Sequence, residues 1–179
     1  MCDLIPFDSL LYAWGESSLG DFIAAKSDRG LVAFEFARRD GDAVKALQAR
    51  FPGVVMTEHA TAMAATVAAL GRLVDHPGED PGIPLDMRGT DYEKRVWDLL
   101  RQIPAGATTS YGAIAAKMGT PRDARDVTAA IAENTLAILI PCHRVVKKDG
   151  SLSGYRWGAK RKRELLARER SHQAFSLAS

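Results

Sequence analysis

The sequence predicts an α+β chain in which strands come first and helices follow. Three observations carry this. Residues 9–36 hold short apolar runs broken by polar turns; residues 88–170 show apolar residues at helical spacing with capping signals; and a Pro/Gly-rich stretch divides the two. The expected organisation is a scaffold domain over residues 1–87, with its linker at 76–87, a second domain over 88–172, and a tail at 173–179.

In the first half, Phe22-Ile23-Ala24-Ala25-Lys26 and Leu31-Val32-Ala33-Phe34-Glu35-Phe36 flank Ser27-Asp28-Arg29-Gly30. Two β-rich runs around a polar turn that ends in glycine read as a hairpin. Leu10 to Trp14 reads as a third strand, giving a small antiparallel sheet. Val44, Leu47 and Phe51 share one helical face ending at Pro52-Gly53, and Met63, Val67, Leu70 and Val74 mark a longer Ala-rich helix over 59–74. No residue pattern in this half points to chemistry. The linker, His76-Pro77-Gly78-Glu79-Asp80-Pro81-Gly82-Ile83-Pro84, has too many helix and strand breakers for regular structure.

In the second half, Thr90-Asp91-Tyr92-Glu93 is a capping box opening a helix to about Gln102, with Val96, Trp97 and Leu100 inside. A short helix capped at Thr109 or Ser110 runs to Met118, with Gly119 suited to the left-handed position that closes it. Thr120 and Pro121 then suit the cap and first turn of another helix, which carries Arg122, Arg125, Val127, Ala130 and Ile131 and ends near Asn134. Two helices around a tight Gly-Thr turn form a helix-turn-helix, whose second member would read nucleic acid. Leu136-Ala137-Ile138-Leu139-Ile140 runs straight into Pro141-Cys142-His143 and reads as a buried strand or extended segment. It delivers a thiol beside an imidazole. The last helix, from Lys160, reads as basic outside and apolar inside.

Charge is divided unevenly. Residues 1–87 hold 7 Lys/Arg against 13 Asp/Glu, whereas residues 88–179 hold 17 against 9. The basic half is the one suited to a polyanion. Only Cys2 and Cys142 are present, which rules out a disulfide framework and fits a reducing, cytoplasmic setting. No signal-peptide pattern opens the chain and no run is long enough to span a membrane. The four histidines lack metal-ligand spacing, so neither metal nor cofactor is expected.

Pro141-Cys142-His143-Arg144-Val145-Val146 resembles the active-site hexapeptide of the O6-alkylguanine-DNA alkyltransferases. The resemblance extends over Arg88-Gly89-Thr90, Val96-Trp97, Ile103-Pro104, Ser110-Tyr111, Arg125, Asn134 and Ser153-Gly154-Tyr155-Arg156-Trp157-Gly158. It implies a ribonuclease-H-like first domain and a winged-helix-like second. It also implies transfer of an alkyl group from O6 of a guanine, rotated out of double-stranded DNA, to Cys142, once per molecule and by a monomer. His143 would act as base and Glu169 would orient it. Asn134 would tie the helix to the cysteine segment, and Tyr111 would donate to the leaving guanine. Arg125 would fill the gap in the base stack, with Ser110, Tyr111, Arg122 and Thr128 on the DNA side. Val145, Ile131, Ser153, Gly154 and Tyr155 would line the guanine pocket. Asp126, Thr128 and Glu133 depart from the small residues usual at those positions, and Asp126 on a groove-facing surface would repel a phosphate backbone. Other readings of the same residues are a non-catalytic lesion binder, a cysteine hydrolase using Cys142 and His143, and a regulator built on the helix-turn-helix.

Overall fold

A computed structural model describes residues 9–119 and 124–177. The chain divides into two compact units, one formed by residues 1–75 and 80–88, the other by 76–79 and 89–179.

The first unit is built on a four-stranded sheet: β1 (Ser9–Gly15), β2 (Phe22–Lys26), β3 (Leu31–Phe36) and β4 (Val55–Glu58), in the order β3-β2-β1-β4. The hairpin forms as the sequence suggested, with Ala24 opposite Phe34 and Ser27 N–H donating to the Gly30 carbonyl at 2.9 Å. The sheet is nevertheless mixed rather than antiparallel throughout. The chain passes from β3 through helix α1 (Gly41–Arg50) to the far edge, where β4 lies parallel to β1. A strand of four residues, three of them exposed (Val55, Thr57 and Glu58) and Met56 half-buried, has no period-2 signal to announce it. Asp40 caps α1 through the Ala43 N–H.

Leu10, Ile23, Ala25, Val32 and Ala33 of the sheet pack with Leu47 and Phe51 from α1 and its end. Helix α2 (Ala60–Asp75) packs against β1 and buries Met63, Leu70, Leu73 and Val74. Phe22 and Phe34 meet edge to face at 5.0 Å. Gly15 is needed here, because a Cβ on it would lie 2.2 Å from the Phe22 ring.

The second unit is mainly helical. Thr90 and Glu93 form the expected capping box at the start of α3 (Asp91–Arg101), whose Val96, Trp97 and Leu100 are buried. The Trp97 indole N–H donates to the Ala130 carbonyl at 2.9 Å, fastening α3 to the later helix α5 (Ala124–Ala132). A two-residue strand β5 (Thr109–Ser110) leads into α4 (Tyr111–Met118). Ser110 caps α4, and Gly119 closes it in the left-handed region at φ 61°. Thr120, Pro121 and Arg122, expected to open the second helix of the pair, lie outside the described residues; α5 is described from Ala124. Strand β6 (Val145–Val146) pairs parallel with β5, setting Val145 opposite Thr109. Helix α6 (Ala159–Leu177) runs past residue 172, where the sequence suggested a tail.

The apolar run before the cysteine is not a strand. Its backbone closes on itself: Ile140 N–H donates to the Leu136 carbonyl at 3.0 Å and Leu139 N–H to that of Ala137 at 2.7 Å. The segment is a buried turn. Apolar runs of this length look alike whether they end as strand or as compact turn, because burial sets their composition. Among the described residues no helix is long and apolar enough to cross a membrane.

Candidate active site

The turn over residues 134–142 is organised by one side chain. Asn134 has no exposed surface. Its Nδ2 donates to the Ile140 carbonyl at 3.1 Å and to Cys142 Sγ at 3.4 Å, while its Oδ1 accepts from Leu136 N–H at 2.8 Å. The buried backbone groups of the turn are thus served by a carboxamide in place of a partner strand. Ile138 sits within it at φ 66°. A β-branched residue in the left-handed region costs roughly 1–3 kcal/mol and persists only where its surroundings over-determine it. Here Leu136, Ala137 and Ile140 are also buried. Pro141 then leads into a single 3-10 turn, Cys142–Arg144.

That tight turn fans out three consecutive side chains, all buried. Cys142 is 5% exposed. Burial pushes its thiol up to about 11, against the opposing pull of the Asn134 hydrogen bond and the Lys162 charge. His143 Nε2 lies 2.7 Å from Glu169 Oε1, and among the described residues Nδ1 has no hydrogen-bond partner. Arg144 grips the same carboxylate. Its Nε is 3.0 Å from Oε2 and its second terminal nitrogen 2.8 Å from Oε1, and its guanidinium also donates to the carbonyls of Ile103 and Pro77. Gly106 N–H adds a bond to Oε2 at 3.1 Å.

Burial alone would raise Glu169, but the hydrogen bonds from His143 and Arg144 outweigh it and hold the carboxyl down at about 2. An ionised Glu169 accepts only, so Nε2 carries the proton and Nδ1 is the bare, basic nitrogen. Burial in turn lowers His143, offset in part by Glu169. The imidazole is therefore neutral at rest.

A second polar cluster adjoins the first through Val145. Tyr111 Oη and Ser153 Oγ are 2.7 Å apart, and Ser153 Oγ is 3.2 Å from the Val145 carbonyl. Lys162 Nζ reaches that carbonyl at 2.5 Å and Ser153 Oγ at 2.8 Å. Tyr155 Oη is buried without a hydrogen-bond partner among the described residues, and burial and then the neighbouring Cys142 raise that phenol well above its usual range. Its ring meets Trp157 edge to face at 5.3 Å. Arg156 donates to the carbonyls of Ala132 and Asn134, fastening the 151–158 segment to the end of α5.

Two hydrogen-bonded pairs thus meet at adjacent residues, Cys142 with Asn134 and His143 with Glu169, with Tyr111, Ser153 and Tyr155 beside them. Val145 contributes its carbonyl, and its side chain is fully buried; Ile131 is half-buried and Gly154 exposed. Ser110 spends its hydroxyl on the Ala113 N–H as the cap of α4. Arg125 and Thr128 lie exposed on α5, and the Thr128 hydroxyl donates back to the Ala124 carbonyl at 2.7 Å. Arg122 is outside the described residues. Among the described residues no three His, Cys, Asp or Glu side chains gather as a metal site.

Two members escaped the sequence reading. Arg144 stood in the hexapeptide without a role. Lys162 was assigned to the basic outer face of α6, yet it has no exposed surface. Its spacing held the signal: Lys162, Leu165, Leu166 and Glu169 fall at i, i+3, i+4 and i+7, the buried stripe of a helix.

The chain is similar to known proteins. A family model described as "6-O-methylguanine DNA methyltransferase, DNA binding domain" matches residues 91–171. The bifunctional transcriptional activator/DNA repair enzyme Ada of Escherichia coli K12 is 40% identical over 162 residues, covering 90% of this chain and 46% of that protein. This chain thus spans about half the length of that relative. The methylated-DNA–protein-cysteine methyltransferase of Mycolicibacterium paratuberculosis is 45% identical over 121 residues, covering 68% of this chain and 73% of that one. A crystal structure of Mycobacterium tuberculosis OGT in complex with DNA superposes with a TM-score of 0.73 at 34% identity, covering 90% of this chain and 93% of that one. With most of the length of these last two relatives matched in sequence or fold, the chain belongs to the O6-methylguanine-DNA methyltransferase family.

Proposed function

We propose that this protein repairs DNA by taking the alkyl group of O6-alkylguanine in double-stranded DNA onto Cys142. The observation that carries this reading is the thiol held by Asn134 beside a neutral imidazole, itself fixed by an ionised Glu169. A thiol raised to about 11 is stored protonated, so a base must act as it reacts. His143 Nδ1 takes that proton, through a bridging water because neighbouring side chains diverge. The thiolate displaces guanine from the alkyl carbon, and Tyr111 donates a proton to the departing base. The product is a thioether with no route to hydrolysis, so each molecule reacts once.

The atom attacked lies on the base-pairing edge, which requires the nucleotide to leave the duplex. Arg125 on α5 takes the vacated place in the stack, with Arg122, Ser110 and Thr128 near the backbone. Ile131, Val145, Ser153, Gly154 and Tyr155 surround the flipped base. The protein acts as a monomer in the cytoplasm and uses no cofactor or metal.

The test is transfer of label from duplex DNA bearing O6-[methyl-3H]guanine. Label should appear on the protein, saturate at one per chain, and be absent from Cys142→Ala. Retention of the lesion DNA without transfer would replace this reading by that of a non-catalytic lesion binder.

A further inference from the structure

A lysine with no exposed surface is rare unless a carboxylate pairs it, and among the described residues Lys162 has no carboxylate partner. Its ammonium is instead spent on the Val145 carbonyl and Ser153 Oγ. Ser153 has one hydroxyl proton to place. The Val145 carbonyl, 3.2 Å away, is already served by the closer ammonium, whereas Tyr111 Oη lies at 2.7 Å. Either oxygen of that pair can be the donor, and in the rotamer in which the Ser153 hydroxyl turns from the Val145 carbonyl to the Tyr111 oxygen the phenol proton is free to point elsewhere. The three groups form a row of donors, Lys162 to Ser153 to Tyr111.

We propose that Lys162, acting through Ser153, is the proton source behind Tyr111 and recharges the phenol as it protonates the departing guanine. This rests on the alkyl-transfer reading above. The step balances. The sulfur–carbon bond forms as the carbon–O6 bond breaks, and the electron pair stays on the guanine. Guanine takes the Tyr111 proton, Tyr111 takes that of Ser153, and Ser153 takes one from Lys162. His143 meanwhile holds the thiol proton. The buried group begins with a charged Lys162 and a neutral His143 and ends with the reverse, so its net charge does not change. That matters where water is excluded, because an uncompensated charge there is costly.

One further observation agrees. Burial lowers Lys162 to about 8, a better proton donor than a solvated ammonium.

The experiment compares two alkylating agents at Cys142, followed by mass spectrometry. Guanine leaving from free O6-benzylguanine needs a proton, whereas iodide leaving from methyl iodide does not. Ser153→Ala is expected to lower the ratio of benzyl transfer to methylation by about tenfold, within the range for one general acid. Ser153→Thr, which restores the hydroxyl, should recover it. Lys162→Gln should match Ser153→Ala, and the double variant should fall no further. In the wild type the ratio should decline as pH rises through about 8, and in Lys162→Gln it should be flat. Equal loss of both rates in Ser153→Ala would overturn the proposal and leave a packing role, as would a Tyr111→Phe variant with an unchanged ratio. Should Lys162→Gln not fold, the wild-type pH profile decides the role of Lys162, and a ratio that stays flat through about pH 8 would overturn the proposal. A wild-type protein methylated by methyl iodide but inert to O6-benzylguanine and to alkylated DNA would sink the alkyl-transfer reading itself.

Discussion

His143 Nε2 and Glu169 Oε1 lie 2.7 Å apart with neither side chain exposed, and this bond decides which imidazole nitrogen is basic. Arg144 shares the carboxylate at 2.8 Å, so Glu169 stays ionised without forcing a charge onto the imidazole. Glu169→Gln removes the obligate acceptor and lets the ring adopt the other tautomer. Alkyl transfer should fall by about 100-fold or more, with His143→Ala losing a similar factor. Single-turnover rates with O6-benzylguanine check both.

The same carboxylate sets an acid limit on stability. Glu169 titrates at about 2 in the folded chain against an ordinary value of 4.5, so the unfolded chain binds its proton first as pH falls. Its contribution is fully present above about pH 4.5 and disappears as pH drops towards 2, amounting to roughly 3 kcal/mol. His143, also lowered, adds a loss that begins below its ordinary 6.5. Urea melts across this range should show declining stability, with the loss below pH 4.5 reduced in Glu169→Gln.

Asn134→Ala should cost about 2–4 kcal/mol, because it strands the buried Leu136 N–H and Ile140 carbonyl. It also removes a donor to Cys142 Sγ, so the thiol should ionise at higher pH than in the wild type. Urea midpoints and the pH dependence of thiolate absorbance read the two effects separately.

Lys162→Met should separate stability from activity. A lysine lowered from 10.5 to about 8 is one whose burial as a cation destabilises the fold at neutral pH. Its replacement by an apolar residue of similar length should leave the melting temperature unchanged or raised by a few degrees, while alkyl transfer drops. A lowered melting temperature would show that the ammonium is needed to hold the Val145 carbonyl.

Asp126, exposed on α5 beside Arg125, faces whatever α5 meets. If that is a phosphate backbone, Asp126→Asn should tighten duplex binding about three- to tenfold at low salt, and the gain should shrink as salt rises. Fluorescence anisotropy with undamaged duplex at several salt concentrations tests this.

Capping signals were the most legible features of the sequence. Thr90 with Glu93, Ser110 and Gly119 all act where local chemistry placed them, since caps depend on neighbours within four residues. The hairpin around Ser27–Gly30 was equally local. What escaped depends on distant partners. The 136–140 run folds into a turn because Asn134 supplies its hydrogen bonds, and β4 exists because β1 offers an edge. Arg144 and Lys162 are ordinary surface residue types, and only their tertiary surroundings make them interior. The thiol and the imidazole were legible as neighbours in Cys142-His143, whereas the carboxylate was found through resemblance, because 26 residues separate His143 from Glu169 and no spacing rule links them.

The most direct measurement is peptide mass mapping of the protein after incubation with excess duplex DNA containing one O6-methylguanine. One methyl-for-hydrogen replacement is expected on the peptide bearing Cys142, saturating at one per chain, with unmodified guanine left in the DNA. An unmodified Cys142 peptide with the lesion intact, from protein whose thiol still reacts with methyl iodide, would contradict it.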